Sequence, residues 1–338
     1  MKISLPAPEL SQQRLESYRR MGVQVVTVPR RLRTEATQRP IKPLVPPAAT
    51  GETTSQAPPP DPQELARIVA RCCEFGLEPG SIDWGLSTAI LSGEPRREQD
   101  LSLFNESVRI IGASGIGVIT LNFTRLRASE GYRLAPGAGR GGADLRDFDA
   151  TRIDGLPPLP AVGEHDEAAM WDRLIWFLEG AVPVAASAGV RFAMHPNDPP
   201  VPSFRGVAQP LHNLAAMQRL VQAVDDPANG IFLDTGVATE WGEDAVAVVD
   251  WFARRDRVSL AHVRNVQVDE PMRRYAETFV DAGDADIGAC LRCLADCGYK
   301  GGIDPDHTPR FTVDGSDLAI GWSWALGALA GWRDAAVG

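Results

Sequence analysis

The chain has 338 residues, a formal net charge of −10 and a hydrophobic content of 44%. This apolar content is ordinary for a globular protein and excludes a fibrous or wholly disordered chain. The acidic balance argues against nucleic acids and anionic membrane surfaces as main partners. The length allows one large α/β barrel or two domains, since such barrels commonly reach about 250 residues or more as one unit.

Short apolar runs alternate with amphipathic helices along the chain. In chain order we predict a helix at 10–21, a strand at 23–28, a helix at 61–76, a strand at 81–84, a helix at 100–113, a strand at 116–122, a helix at 167–188, a strand at 190–195, a helix at 214–224, a strand at 230–234, a helix at 243–253, strands at 258–264 and 278–281, a helix at 287–297, a strand at 302–305 and a helix at 318–332. Asp61 and Asn213 are suitable N-caps for two of these helices.

Eight strands that alternate with helices predict parallel strands joined by right-handed crossovers, and hence a single-domain (β/α)8 TIM barrel over residues 1–338. An open doubly wound sheet is the alternative. It lacks support, because no G-x-G-x-x-G motif follows the first predicted strand and no P-loop is present.

Two segments do not fit the alternation. Residues 31–60, after the first predicted strand, are too long and too rich in proline for an ordinary loop. We interpret them as a solvated, mobile insertion, or as a lid or an arm to a neighbouring subunit. Residues 124–164, rich in glycine and arginine, follow the third predicted strand and are expected to form an active-site loop over the catalytic face.

The five cysteines and the amino terminus indicate a cytoplasmic protein. An odd number of cysteines without a secretion signal fits a reducing compartment. Cys290, Cys293 and Cys297 fall on one face of a predicted helix. Part of that spacing would suit zinc, but no histidine lies nearby, so we interpret the three as small apolar side chains on a buried face. No apolar run is long enough to span a membrane.

Histidines are scarce, and their positions predict a metal site. His195 and His262 end two predicted strands, and Asp234 and Asp306 end two others. In a parallel barrel these ends meet on one face. Two imidazoles and two carboxylates suit Mn, Fe, Co or Zn, whereas the nitrogens argue somewhat against Mg or Ca. The alternative is a polar cluster that only satisfies buried groups.

Other side chains are expected around this centre. Arg264 shares a side of its strand with His262, and would either hold a substrate carboxylate or support a ligand such as Asp306 through a salt bridge. His307 is the expected general acid or base. Asp198 follows His195 and would act on a proton or fix the turn before a proline. Asn122 would bind a hydroxyl, and Arg140, in a glycine-rich loop, would either approach a ligand or be solvated.

Several motifs resemble those of the metal-dependent mannonate dehydratases of the UxuA type. The segments occur in the family's order at residues 115–123, 194–200, 260–266, 283–286 and 304–307. The pieces MHPNDPP and HVRNV are the specific ones, similar to the family's HP-D-DPP and HFVHLRNV segments. The resemblance covers roughly residues 8–30 and 61–332.

The resemblance implies a xylose isomerase-like barrel with a bound divalent metal, usually Mn, that eliminates water from a sugar acid. D-mannonate would give 2-keto-3-deoxy-D-gluconate. The family's metal ligands correspond to His195, His262 and Asp306, and its acid/base histidine to His307. Asn197, within MHPNDPP, is a further candidate for substrate binding.

The chain departs from the family's pattern at several positions. Asp234 stands where the family has a cysteine ligand, and this harder oxygen donor shifts the metal preference toward Mn, Fe or Mg. The stretch 314–324 lacks the family's catalytic tyrosine, Thr308 replaces a glycine, and the proline-rich insertion is foreign to the pattern.

We therefore expect a cytoplasmic enzyme, a homo-oligomer of two or more subunits, that dehydrates a sugar acid with Mn, or with Fe, Co, Mg or Zn, as cofactor. The alternative is a metal-dependent sugar or sugar-acid isomerase or epimerase, which would reprotonate the enediolate formed by removal of the C2 proton instead of losing water. A non-catalytic barrel that binds metal and sugar is the third hypothesis.

Overall fold

The computed structural model describes residues 1–35, 41–315 and 317–338. Its strands are β1 (Lys2–Pro6), β2 (Val25–Val28), β3 (Glu78–Asp83), β4 (Val118–Asn122), β5 (Tyr132–Ala135), β6 (Leu145–Asp149), β7 (Arg191–His195), β8 (Ser203–Phe204), β9 (Val207–Ala208), β10 (Asn229–Asp234), β11 (Val258–His262), β12 (Val266–Glu270), β13 (Arg274–Glu277) and β14 (Gly302–Asp304). Its α-helices are α1 (Gln12–Arg20), α2 (Pro62–Glu74), α3 (Thr88–Ser92), α4 (Arg97–Ala113), α5 (Glu167–Ser187), α6 (Leu214–Ala223), α7 (Thr235–Glu240), α8 (Ala245–Ala253), α9 (Ile287–Asp296) and α10 (Ala319–Val337).

Eight parallel strands close into a barrel in the order β1-β2-β3-β4-β7-β10-β11-β14, with β14 paired to β1. The predicted (β/α)8 barrel is therefore confirmed. The strands are short and apolar, and the helices bury a continuous hydrophobic layer against their outer face. In the described part of the chain, no helix is long and apolar enough to cross a membrane.

Helix starts follow the capping residues of the sequence. The Asp61 side chain accepts a hydrogen bond from the Gln63 amide at 2.9 Å, and proline occupies the first turn of α2. Asn213 caps α6 in the same way, by accepting from the Ala216 amide at 2.8 Å. These caps satisfy amide groups that have no partner within the helix.

The predicted number of barrel strands is right, but one predicted strand is wrong and one barrel strand was not predicted. The first barrel strand is Lys2–Pro6, which the sequence analysis missed because only two apolar side chains, Ile3 and Leu5, alternate with polar or cyclic ones. Residues 278–281 are not a strand; Phe279 and Val280 are buried there by packing instead. The long segments therefore follow barrel strands 2 and 4, not strands 1 and 3.

The segment 124–164 contains regular structure. Its strands β5 and β6 pair with β12 and β13, from the connection after β11, in a four-stranded antiparallel sheet, which we call the added sheet. This sheet has an apolar core of its own, in which the rings of Phe148 and Tyr275 stack with centroids 5.2 Å apart. It covers part of the face at which the barrel strands end.

The proline-rich segment is described from residue 41 onward; residues 36–40 of the predicted 31–60 insertion lie outside the described residues. Its later part is hydrogen-bonded to the loop after β3. The Thr54 amide donates to Thr88 Oγ1 at 2.9 Å, and the Ser87 amide donates to Gln56 Oε1 at 3.1 Å. Residues 41–60 therefore rest on the carboxyl-terminal end of the barrel.

Candidate metal centre and active site

The register of the barrel places two of the predicted ligands, Asp234 and His262, side by side. Asp234 is the pairing partner of His262, which in turn pairs with Asp304 across β11 and β14. On the other side, His195 pairs with Asn122 across β7 and β4. Because parallel strands of similar length end together, these side chains share the carboxyl-terminal face.

His195, Asp234 and His262 form a compact group of three possible ligands. His195 Nε2 lies 3.2 Å from His262 Nδ1 and 3.5 Å from Asp234 Oδ2, and His262 Nδ1 lies 3.3 Å from Asp234 Oδ2. Ligand atoms about 2.1 Å from a shared ion are separated by about 3 to 3.5 Å, so this spacing fits a bound metal.

Asp306 lies on the other side of the His262 ring. Its Oδ1 is 3.3 Å from His262 Nε2, and Asp304 Oδ1 is 3.7 Å from the same nitrogen. The predicted four ligands thus form two groups that share His262, and Asp304 is an additional carboxylate that the sequence analysis missed. Asp306 has a left-handed backbone, with φ of 54°, which aspartate tolerates better than most residues.

The donor chemistry of this cluster fits a divalent cation. Burial alone would raise the pKa of the Asp234 carboxyl, but Arg264 and the two imidazoles hold it well below its usual range. Burial likewise opposes ionisation of Asp306, whereas His262, His307 and Lys42 lower its pKa well below the usual range. Two ionised carboxylates and two imidazoles at this spacing support a divalent metal site.

Arg264 is buried behind the ligands rather than exposed to a substrate. Its Nε donates to Asp234 Oδ2 at 3.0 Å and lies 3.4 Å from Asp306 Oδ2, while Nη1 donates to Glu240 at 2.8 Å. A Cβ at Gly236 would lie 2.7 Å from the guanidinium carbon, so this glycine leaves room for the arginine. Of the two hypotheses for Arg264, the structure favours the one in which this arginine supports the proposed metal ligands through salt bridges.

His307 lies next to the cluster and is held through one nitrogen. Its Nδ1 lies 3.0 Å from Asp306 Oδ2 and 3.1 Å from Glu277 Oε2, and Arg146 Nη2 is 3.2 Å away. Two carboxylate oxygens favour a proton on Nδ1, and Arg146 is paired with Glu277. In the described part of the chain, His307 Nε2 has no hydrogen-bond partner.

The added sheet positions the partners of His307. Glu277 on β13 and Arg146 on β6 are direct pairing partners across the two strands. Burial would raise the pKa of the Glu277 carboxyl, but Arg146 and His307 lower it far below its usual range. The carboxylate that faces His307 is therefore ionised.

A cavity of about 570 Å³ opens beside the cluster. It is lined by His195, His262, Asp304, Asp306 and His307 from the barrel ends, and by cationic and polar side chains that include Arg30, Lys42, Asn122, Thr124, Arg127 and Arg146. This volume lies in the range of sites for small molecules. Asn122, the predicted hydroxyl-binding residue, is exposed and lines this cavity.

Asp198 and Asn197 reach the cavity but are engaged by protein groups. The Asn197 amide donates to the Phe123 carbonyl at 3.3 Å and its oxygen accepts from the Leu211 amide at 2.7 Å. Asp198 accepts a hydrogen bond from the Tyr132 hydroxyl and lies 3.4 Å from Arg127 Nη2. These contacts fix the loop after β7.

The structure does not bring Arg140 to the cavity. Its guanidinium donates to both carboxylate oxygens of Asp281, at 2.9 and 3.1 Å, and lies 4.4 Å from the ring centroid of Phe279. The prediction that Arg140 binds substrate is therefore not supported, because this arginine already has a partner at the far edge of the added sheet.

Several functional candidates escaped the sequence analysis because they do not lie at barrel strand ends. They are Lys42 from the proline-rich segment, Arg146 and Glu277 from the added sheet, and Arg30 from the loop after β2. Asp304 was detectable, since it ends the last barrel strand directly.

The sequence profile of the D-mannonate dehydratase (UxuA) family matches residues 158–331, just over half of the chain. A mannonate dehydratase of Streptococcus equi subsp. zooepidemicus is 29% identical over 248 residues, which cover 67% of this chain and 68% of the relative.

Solved structures support the fold. The mannonate dehydratase of Streptococcus suis serotype 2 superposes with a TM-score of 0.78 at 23% identity, covering 99% of this chain and 94% of that chain. A xylose isomerase domain protein of Alicyclobacillus acidocaldarius superposes with a TM-score of 0.60 at 15% identity over the whole of both chains. The predicted resemblance and its enzyme class, hydro-lyase, are confirmed, and the chain belongs to the D-mannonate dehydratase (UxuA) family.

Proposed function

We propose that this protein dehydrates an aldonate, D-mannonate or a close relative, to a 2-keto-3-deoxy acid in a metal-dependent reaction. The observation that carries the proposal is the group of His195, Asp234 and His262, separated by 3.2 to 3.5 Å, beside His307 and the cavity. Membership of the D-mannonate dehydratase family supplies the reaction class.

His195, Asp234 and the Nδ1 atom of His262 would hold the cation. Asp306, which contacts the other ring nitrogen of His262 in this structure, is the fourth proposed ligand, with Asp304 beside it. A divalent ion there would draw electron density from the carboxylate and a hydroxyl of the aldonate and so acidify the C2 proton. Mn²⁺ is our first choice, because hard carboxylate oxygens accompany two imidazoles and no thiolate is present in the group. Fe, Co, Mg and Zn are the alternative ions.

The cavity wall suits an anionic, hydroxyl-rich molecule. Arg30, Lys42, Arg127 and Arg146 contribute positive charge, and the exposed Asn122 amide offers a donor and an acceptor to a hydroxyl. We assign no substrate contact to Arg140 or Arg264, since neither lines the cavity and both guanidinium groups are held by carboxylates.

His307 is our candidate for proton transfer. The carboxylates at Nδ1 orient the ring and leave Nε2 to accept the proton from C2. The same nitrogen then returns a proton to the C3 hydroxyl, which leaves as water, and the resulting enol becomes the 2-keto acid. Asp198 serves as a positioning residue, because Arg264 and Arg127 lower its pKa against the opposing effect of burial and make it a poor proton donor.

The test uses protein stripped of metal and reloaded with Mn²⁺, incubated with a panel of aldonates, with products identified by mass spectrometry. We expect a 2-keto-3-deoxy acid from at least one aldonate, and its loss in His307→Gln. His165→Gln is the matched control, since that ring contacts Arg173 and the Val162 carbonyl away from the cavity. Metal-loaded protein that dehydrates no aldonate would refute the proposal.

The isomerase or epimerase hypothesis is favoured by one observation, the absence of a tyrosine from residues 314–324. The same incubation in deuterated water separates the two. Deuterium at C2 of the recovered substrate, without a keto-deoxy product, would establish the isomerase or epimerase hypothesis. Aldonate binding with neither deuterium incorporation nor a keto-deoxy product would establish a non-catalytic barrel.

A further inference from the structure

Lysine is rare in this chain, and one of its lysines lies at the candidate metal centre. Only three of the 34 basic residues are lysine, namely Lys2, Lys42 and Lys300. Lys2 starts β1 and Lys300 precedes β14, so both lie at the amino-terminal end of the barrel. Lys42 lies at the opposite end of the barrel, where the other cationic side chains of the cavity wall are arginines.

The Lys42 ammonium group pairs with Asp306 Oδ1. The same oxygen lies 3.3 Å from His262 Nε2, so the lysine contacts an atom that belongs to the ligand group. The Asp306 side chain is 4% exposed and that of Lys42 is 28% exposed, which places the ammonium at the boundary between the cluster and the cavity.

The proline-rich segment holds Lys42 in this position. Pro43 and Pro46 line the same cavity, and Pro43 restricts the backbone of the lysine that precedes it. Farther along, the Gly51 carbonyl accepts from Arg125 Nη2 at 3.0 Å, and Gln56 is bonded to the loop after β3. The segment therefore delivers a cation to the centre from outside the barrel.

The other cationic side chains of the cavity wall contact groups that are not proposed metal ligands. Arg146 is paired with Glu277 and Arg127 with Asp198, while Arg30 stacks 4.8 Å from the Trp84 ring centroid. Lys42 differs, because its partner is itself a metal ligand. A divalent ion at Asp306 would repel the ammonium from the shared oxygen, since like charges a few ångströms apart are costly.

We propose that Lys42 is a substrate-binding residue, whose ammonium pairs with Asp306 in the metal-free protein and with the carboxylate of the metal-held sugar acid in the complex. This inference rests on the proposed function, because it requires an anionic substrate at the metal. A compact ammonium with three donors on a flexible stem is suited to exchange between two oxygen partners, whereas a planar guanidinium is less so.

The first test measures lysine accessibility and needs no turnover. Each lysine is labelled with a small amine-acylating reagent and quantified by peptide mass spectrometry in metal-free protein, with Mn²⁺, and with Mn²⁺ plus D-mannonate. We expect Mn²⁺ to raise the Lys42 labelling rate several-fold and the aldonate to lower it again. Lys2 and Lys300 are the internal controls and should not change. Equal Lys42 rates in all three states would overturn the inference.

The second test uses Lys42→Met and Lys42→Arg, with Lys300→Met as the matched control. Loss of one charge-assisted contact predicts a rise in the KM for the aldonate of about ten- to a hundredfold, with a smaller change in kcat and partial rescue by arginine. Titration calorimetry of Mn²⁺ alone should show Lys42→Met binding the ion at least as tightly as wild type, because a competitor is removed. An unchanged KM, or weaker Mn²⁺ binding by Lys42→Met, would overturn the assignment.

The two proposals fail in different ways. If no aldonate is dehydrated, the proposed function fails, while the labelling and calorimetry still report whether Mn²⁺ displaces Lys42. If wild type dehydrates an aldonate and Lys42→Met does so with an unchanged KM, the function stands and the Lys42 assignment falls.

Discussion

The barrel and the segments added to its carboxyl-terminal face contribute different chemistry to the site. The barrel supplies the proposed ligands, with His195, Asp234 and His262 at the ends of three neighbouring strands and Asp306 two residues beyond the end of β14. The added segments supply charges around the cavity, with Glu277 and Arg146 from the added sheet and Lys42 from the proline-rich segment.

The two regions also differ in how their residues are fixed. Strand pairing determines the height of the ligands, because Asp234, His262 and Asp304 are register partners. The charged side chains of the added segments are positioned instead by the separate apolar core of the added sheet and by ion pairs. We therefore expect metal binding to persist when the added segments are changed, whereas substrate binding and proton transfer should be impaired.

The largest expected effect follows removal of the imidazole shared by both ligand groups. His262→Gln should lose bound metal and nearly all activity, because His262 lies within 3.3 Å of both Asp234 and Asp306. Metal content by elemental analysis after gel filtration is the measurement, with His165→Gln as the control. Wild-type metal content in His262→Gln would show that the barrel ends are not the binding site.

His307→Gln should separate proton transfer from metal binding. We expect kcat to fall about 10²- to 10⁴-fold, the usual contribution of a general acid or base, while the metal content is unchanged. Steady-state kinetics and elemental analysis on the same preparation test this. A fall of less than tenfold would assign the proton transfers to another group.

Phe148→Ala should damage the added sheet and spare the barrel. Phe148 is fully buried in that sheet, and such truncations cost about 3 to 5 kcal/mol. Hydrogen exchange should therefore accelerate in β5, β6, β12 and β13, with kcat reduced and Mn²⁺ still bound. Faster exchange throughout the barrel strands would mean that the two regions unfold as one unit. Phe104→Ala, in the barrel core, is the contrasting variant.

The smallest effect is expected at Arg140. Its side chain is 52% exposed, and exposed ion pairs contribute about 0 to 1 kcal/mol, so Arg140→Met should change the Tm by no more than a few degrees. The KM for the aldonate should stay within about twofold of wild type. A tenfold rise in KM would restore Arg140 as a substrate-binding residue.

The sequence was sufficient for those features that depend on periodicity and strand ends. Alternating apolar runs and helices predict the barrel, and four suitable side chains at strand ends predict the ligand cluster before any contact is known. The strand Lys2–Pro6 was missed because a short strand with two apolar residues gives little periodic signal.

The rest of the site depends on pairings between distant residues, which one sequence does not reveal. Lys42 and Asp306 are 264 positions apart, and Arg146 and Glu277 are 131 apart. Arg264 lies two residues beyond the end of β11, not within the predicted strand 258–264, and its role depends on Glu240 and Asp198, which no local pattern connects to it. The pairing of Arg140 with Asp281, 141 positions away, is equally invisible to local patterns.

The most direct test of the account is anomalous X-ray diffraction at the Mn edge from crystals grown with Mn²⁺ and D-mannonate. We predict a peak bounded by His195, Asp234 and His262 and facing Asp306, with the aldonate in the cavity beside His307. A peak at a different cluster, such as Asp250, Cys293 and Cys297, or an aldonate bound away from the ion, would contradict it.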